Sequence, residues 1–341
     1  MSDSKKAVLV TGAAGFIGSH VCHHLLKDYQ VVGLDDLSGG FADQVPSGVR
    51  FIQGTINDQK LILDLFAKHR FETVYHLAAY AAEGLSHFIK HFNYSNNLLG
   101  SINLINAAVN HDVKLFVFTS SIAVYGHNQL PMHEDLIPSP EDPYGIAKYA
   151  VELDLRQSHE MFGLNSVIFR PHNVYGEHQN LGDPYRNVIG IFMNNIMKHQ
   201  PLTIFGDGTQ TRAFSYIDDV APIIASVGNQ PKTWNQIFNV GADTPYEVRH
   251  LAQVVSAEFG ISQPDIQFLP GRNEVKHAYC SHDKIRRFFP SIAQGTTLGK
   301  GIARMGDWAK KTGARTGTPF GKVEVVRNLP KSWAALTSGR P

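Results

Sequence analysis

Ala7-Val8-Leu9-Val10-Thr11-Gly12-Ala13-Ala14-Gly15-Phe16-Ile17-Gly18 decides the fold. An apolar run makes a strand, and a glycine-rich turn leads from it into a helix. That order suits a dinucleotide pyrophosphate. Glycines let the backbone turn and approach the phosphates, and a helix N-terminus offers unpaired N–H groups at the positive end of its dipole. The spacing is G-x-x-G-x-x-G rather than G-x-G-x-x-G, and glycine also serves ordinary strand-to-helix turns. A second apolar run, Gln30-Val31-Val32-Gly33-Leu34, ends in Asp35-Asp36. An acid there accepts hydrogen bonds from adenosine ribose hydroxyls and repels a 2′-phosphate. Asp35 therefore points to NAD rather than NADP, and it equally suits the turn before Leu37-Ser38-Gly39-Gly40.

The chain has 341 residues, enough for one large or two fused domains. It is 43% hydrophobic and 18% charged, which pushes toward neither disorder nor a membrane class. A formal net charge of +1 gives no reason to expect nucleic-acid or membrane-surface binding. No apolar run reaches the length of a bilayer span. Met1-Ser2-Asp3-Ser4-Lys5-Lys6 runs directly into the first strand, so no signal peptide is expected. The two cysteines, Cys22 and Cys280, read as reduced and the protein as cytoplasmic. Among 17 histidines, His20, His23 and His24 share a helix face at metal-ligand spacing. No acid or cysteine joins them in sequence, so no metal is expected.

Strands and helices alternate through the first half. Val49–Ile52, Thr73–Leu77, Lys114–Phe118 and Ser166–Phe169 read as further strands. Gln59–His69, a long segment ending at Asn110, and about Tyr144–Phe162 read as helices. The pattern predicts an α/β fold with a doubly wound parallel sheet, buried on both faces. Ligands of such sheets lie outside the carboxyl ends of the strands. After residue 171 the regularity falls. Trp234–Val240 offers one more strand to the first sheet, Tyr246–Phe259 and Leu298–Lys311 read as helices, and Ile266–Leu269 as a strand. The expected division is 1–171 plus about 217–240 for the dinucleotide domain, and about 172–216 plus 241–314 for a smaller α/β substrate lobe. The tail, 315–341, carries no readable element.

Tyr144-Gly145-Ile146-Ala147-Lys148 places a phenol and an ammonium on one helix face. A free tyrosine has a pKa near about 10 and is a poor base at neutral pH. A neighbouring Lys148 ammonium and the positive nicotinamide ring would favour the phenolate. So tuned, Tyr144 can take a proton from a sugar hydroxyl while hydride leaves the same carbon. Y-x-x-x-K alone is a common pattern, but here it follows a strand ending in Thr119-Ser120-Ser121. Ser121 can hold the reacting oxygen or cap a turn.

With these motifs in place the chain resembles the extended short-chain dehydrogenase/reductases that act on nucleotide sugars, over roughly residues 6–312. The resemblance rests on Thr11–Gly18, Asp58, His76–Ala79, Thr119–Gly126, Pro143–Lys148, Arg170–Gly176 and Phe205–Arg212. It implies a Rossmann-type domain. The implied cofactor residues are Gly12, Gly15, Phe16, Ile17, Gly18, Asp35, Asp36, Ile56, Asp58, Leu77, Ala78, Ala79, Tyr80, Asn97, Ser120, Tyr144 and Lys148. Within that set, Asp58 would meet the adenine edge and Asn97 would pack beside the nicotinamide half. The substrate would meet Ser121, Asn173, Phe205, Arg212 and Arg272, with the two arginines on its diphosphate. Gly271-Arg272-Asn273-Glu274 departs from the family's usual Arg-Pro-Gly-Asp.

The same resemblance narrows the chemistry. Sugar 4,6-dehydratases of the family place an Asp-Glu pair where Ile122-Ala123 stand. Decarboxylases keep a Glu, and 3,5-epimerases a Cys, at the Ala123 position. What remains resembles UDP-galactose 4-epimerases: transient oxidation at C4 by bound NAD, with Tyr144, Lys148 and Ser121 as the catalytic set and a UDP-sugar as substrate. The alternatives are a net-redox ketosugar reductase or dehydrogenase using NAD(P), and a non-enzymatic NAD sensor. A homodimer is implied, with Leu98, Leu99, Ile102, Leu104, Ile105, Val151, Leu153 and Leu155 offering more apolar surface for a four-helix interface than one sheet face needs, although some of them must be core.

Overall fold

Val8 and Val10 pack into one apolar cluster and Leu9 into another, on opposite faces of strand β1, Ala7–Thr11. Burial on both faces is what a parallel sheet covered by helices requires. The computed structural model describes residues 5–271, 275–292, 295–317 and 320–334. The other strands of the main sheet are β2 (Gln30–Asp35), β3 (Arg50–Gln53), β4 (Phe71–His76), β5 (Leu115–Thr119), β6 (Asn165–Pro171) and Gln236–Val240. The spatial order is Gln236–Val240, β6, β5, β4, β1, β2, β3. Every pairing is parallel. The order in which strands are added reverses between β1 and β4, so the crevice of a doubly wound sheet opens there.

One face of the sheet carries helix α1, Phe16–Leu25, and Ala221–Ser226. The other carries α2, Gln59–Lys68, with Gly100–Asn110 and Pro143–Phe162. The long helix expected before Asn110 is broken into Lys90–Tyr94, a π-helical turn at Ser95–Leu99, and Gly100–Asn110. Pro143–Phe162 is bounded by its own chemistry. Asp142 accepts the N–H of Gly145 at 2.8 Å, Pro143 stands at the first turn, and Gly163 ends the helix at φ 75. Among the described residues no helix is long and apolar enough to cross a membrane.

The smaller lobe pairs Leu202–Phe205 with Ile266–Leu269 and Thr211–Ala213 with Pro245–Glu247 and His277–Ala278. Val188–Met197, Val248–Glu258 and Leu298–Thr312 cover it. Its core is continuous with the α1 side of the main sheet. Two features bear on the sequence reading. Leu104, Ile105, Val151 and Leu155 are core residues beneath the sheet, which leaves Leu98, Leu99, Ile102 and Leu153 of the apolar set at or near the surface. The tail, which carries no pattern in the sequence, packs through Phe320, Val323 and Trp333 against Tyr80, Phe88 and Tyr185.

Candidate active site

A cleft of about 1660 Å³ opens at the carboxyl ends of the strands, between the sheet and the smaller lobe. Its floor is the glycine turn. Gly12 has φ +75, and a Cβ there would lie 2.8 Å from the Ala78 nitrogen, so only glycine fits. Gly18 is packed so tightly that a Cβ would meet the Gly12 oxygen at 1.9 Å. The N-terminus of α1 has no side-chain cap and no acid in its first turn. Phe16, Ile17 and Gly18 line the cleft there. An uncapped helix N-terminus beside glycine backbone fits a pyrophosphate.

Asp35, at the end of β2, accepts the N–H of Ala14 at 3.0 Å and of Leu37 at 2.7 Å. Burial raises its pKa, and these hydrogen bonds oppose the rise. Asp36, Ile56, Leu77, Ala78, Ala79, Tyr80 and Ser120 also line the cleft. Two expected cofactor residues are placed elsewhere. Asp58 is exposed, does not line the cleft, and caps α2 by accepting the Leu61 N–H at 3.0 Å. Asn97 is buried behind the cleft wall. Its amide accepts from the Tyr80 N–H at 2.8 Å and donates to the Tyr80 oxygen at 3.1 Å, so it braces Tyr80. Asn97 lies in the π-helical turn Ser95–Leu99.

Tyr144 and Ser121 both line the cleft. Ser121 also accepts the Ala123 N–H at 3.1 Å, so it caps the following turn as well. Lys148 is buried and donates from Nζ to the Thr119 carbonyl at 2.9 Å. The same Nζ lies 5.8 Å from the centre of the Tyr144 ring. Burial lowers the Lys148 pKa to about 7, against an opposing pull from Glu152. Burial also raises the pKa of the Tyr144 phenol, opposed first by the nearby Ser121 side chain and then by the charge of Arg186. Burial acts on both groups and favours their neutral forms.

The lobe supplies the other wall. Asn173 and Phe205 line it, with Thr203, Gln267 and Leu269. Asn173, at φ 40, donates to the Ala213 carbonyl at 3.1 Å. Arg212 lines the cleft and donates to the carbonyls of Val275 at 2.6 Å and Lys276 at 3.0 Å. Arg272 lies outside the described residues. His20 is held by the Glu177 carbonyl at 3.0 Å, and no metal-type cluster occurs among the described residues.

Arg186 lines the cleft although no motif in the sequence points to it. It pairs with Asp183 at 2.5 Å. Its guanidinium stacks 4.9 Å over the Tyr80 ring and would lie 3.1 Å from a Cβ on Gly39. No local pattern marks it, because its neighbours come from the loops after β2 and β4.

Residues 8–241 match the model of the NAD dependent epimerase/dehydratase family. The chain is 33% identical over 310 residues to the UDP-glucose 4-epimerase of Mycolicibacterium smegmatis, covering 87% of this chain and 96% of that one. It is similar to the crystal structure of UDP-glucose 4-epimerase with UDP-glucose from Thermotoga maritima, with a TM-score of 0.84 and 30% identity over 90% of this chain and 99% of that one. It is also similar to UDP-glucuronic acid 4-epimerase from Bacillus cereus, solved with UDP-glucuronic acid and NAD, with a TM-score of 0.81 and 29% identity over 90% and 99% of the two chains.

Proposed function

The chain belongs to the NAD-dependent epimerase/dehydratase family, and we propose that it is a nucleotide-sugar 4-epimerase of UDP-glucose/UDP-galactose type. The observation that carries this reading is that Tyr144, Ser121 and Lys148 line one cleft in which Ile122 and Ala123 hold no acid. Bound NAD supplies a reversible hydride acceptor for one sugar carbon and a positive ring charge that favours the phenolate. Ser121 holds the reacting hydroxyl. Tyr144 accepts its proton and later returns it. Lys148, buried on the same helix face, places positive charge near the phenol when protonated.

Epimerisation further requires the sugar to turn over while its diphosphate stays anchored. Arg212 and Asn173 are the candidates for that anchor. The strand ends at Phe205 and Leu269 offer an apolar wall to the base. Asp142, the acid beside Tyr144 in sequence, is engaged as a helix cap.

The test is incubation with UDP-, dTDP- and GDP-sugars, including UDP-glucuronate and UDP-N-acetylglucosamine, followed by product sugar analysis. A substrate deuterated at C4 should keep its label at C4 in the epimer. Unlabelled substrate in D₂O should gain no carbon-bound deuterium. Deuterium entering C3 or C5 would mean enolisation, and Glu83, which lines the same cleft, would be the first group to suspect. Reduced cofactor accumulating with product would mean a dehydrogenase.

A further inference from the structure

We propose that the C-terminal stretches 315–317 and 320–334 are part of the dinucleotide-binding site and retain the bound cofactor. They begin after the last long helix, Leu298–Thr312, and visit in turn the loops around the β1/β2/β4 strand ends. A dinucleotide lies at those ends in a sheet of this order.

The first contact is Arg315. Its N–H donates to the Asn194 side chain at 2.9 Å, and its carbonyl accepts from that amide at 3.0 Å. Its guanidinium lies 4.2 Å over the Phe41 ring. Phe41 ends the loop that follows Asp35, and its N–H donates to Ala14 in the glycine turn at 3.1 Å. Gly317 then presses on Gly182, where a Cβ would lie 1.8 Å from the Gly182 oxygen. Gly182 opens the loop that carries Asp183 and Arg186, the guanidinium between Gly39 and Tyr80.

The second group of contacts covers the loop after β4. Phe320 meets the Tyr80 ring at 5.5 Å and the Phe92 ring at 5.0 Å, both edge-on. Glu324 accepts the N–H groups of His91 at 2.7 Å and Phe92 at 2.9 Å. The N–H groups of Glu324 and Val325 both reach the Phe88 carbonyl, at 2.8 and 3.1 Å. Trp333 is 3% exposed, edge-on to Tyr185 at 5.5 Å and against Gly84. Between these anchors Val325, Arg327, Asn328 and Lys331 line the cleft itself. Arg327 and Lys331 bring positive charge to a cleft that must take a pyrophosphate.

The anchors are made by the protein to itself. Breaking them therefore opens an exit without removing the glycine turn or Asp35. The effect belongs in the off-rate of the dinucleotide rather than in its on-rate. The inference rests on NAD as the family's cofactor and not on which sugar is turned over, so release kinetics stay informative whatever the substrate panel returns.

The test uses the full chain loaded with NAD and measures NAD release after rapid dilution into a trap that consumes free NAD. The double variant Glu324→Gln/Trp333→Ala should release NAD about tenfold faster than the parent, with a nearly unchanged association rate. A second double variant, Arg327→Ser/Lys331→Ser, touches only exposed side chains and decides the matter alone if the first does not fold. It should also release NAD faster, and its release should depend less on salt than the parent's. Faster release in either variant supports the proposal. Release at the parental rate in every folded variant overturns it.

Discussion

Arg170 donates to Glu152 from Nε at 3.0 Å and from Nη2 at 2.5 Å, and both side chains are buried. Glu152 also accepts from Ser120 at 2.5 Å. It stands four residues after Lys148 and eight after Tyr144 on one helix. The Arg170 guanidinium lies 4.7 Å over the Tyr125 ring. A buried carboxylate thus ties the helix of Tyr144 to the end of β5 and to β6.

Replacing Glu152 with Gln should destabilise the protein strongly. Removing one partner of a buried ion pair leaves the other charge uncompensated, which costs about 3–5 kcal/mol. Glu152 also opposes the burial that lowers Lys148, so the Lys148 pKa should fall below its present value of about 7. Urea unfolding checks the first effect, and a loss under about 1 kcal/mol would contradict it.

Replacing Tyr144 with Phe should reduce kcat by about 10²–10⁴-fold, the range for a general acid–base group. Nucleotide-sugar binding should be nearly unchanged, since the ring stays. Retention of kcat within about tenfold would remove Tyr144 from proton transfer.

Replacing Asp35 with Asn should weaken NAD binding and narrow the preference over NADP, because the repulsion of a 2′-phosphate is lost. Asn keeps a carbonyl for one of the N–H groups of Ala14 and Leu37. Titration with both dinucleotides measures it. A parent protein that prefers NADP would refute this role.

Stability should fall as pH drops below about 6.5. His172 is buried, and desolvation with the neighbouring His282 lowers its pKa to about 3. His76 is buried between Thr11 and Ser101, each at 2.8 Å, and burial holds its pKa well below the ordinary value. Both are neutral in the fold, and both take a proton in the unfolded chain below about 6.5. The unfolded state then binds more protons, so the stability these groups provide is complete above that pH. It is lost as pH falls below that point, at up to about 1.4 kcal/mol per pH unit for each histidine while it stays neutral in the fold. A urea midpoint that stays constant from pH 7 to pH 5 would contradict this sign.

The protein should be a two-fold homodimer. Leu99 is 57% exposed, and Leu98 and Ile102 lie near it at the surface. A Leu99→Lys variant should shift the mass by light scattering from dimer toward monomer at micromolar concentration. A monomeric parent would rule out the interface.

The sequence by itself determined the sheet, the glycine turn and the shared helix face of Tyr144 and Lys148. Each is written in short-range terms: apolar strands, a backbone angle only glycine tolerates, and an i,i+4 spacing on a helix bounded by Asp142 and Gly163. The tertiary structure alone decided the rest. It made Asp58 a helix cap, turned Asn97 toward Tyr80, put Leu104 and Leu155 in the core, and brought Arg186 to Gly39. The tail is the clearest case. Glu324 meets His91 across 233 residues, and Arg315 meets Asn194 across 121. Contacts of that range leave no local period to read, since their energy comes from packing and burial that exist only once the strands are in order.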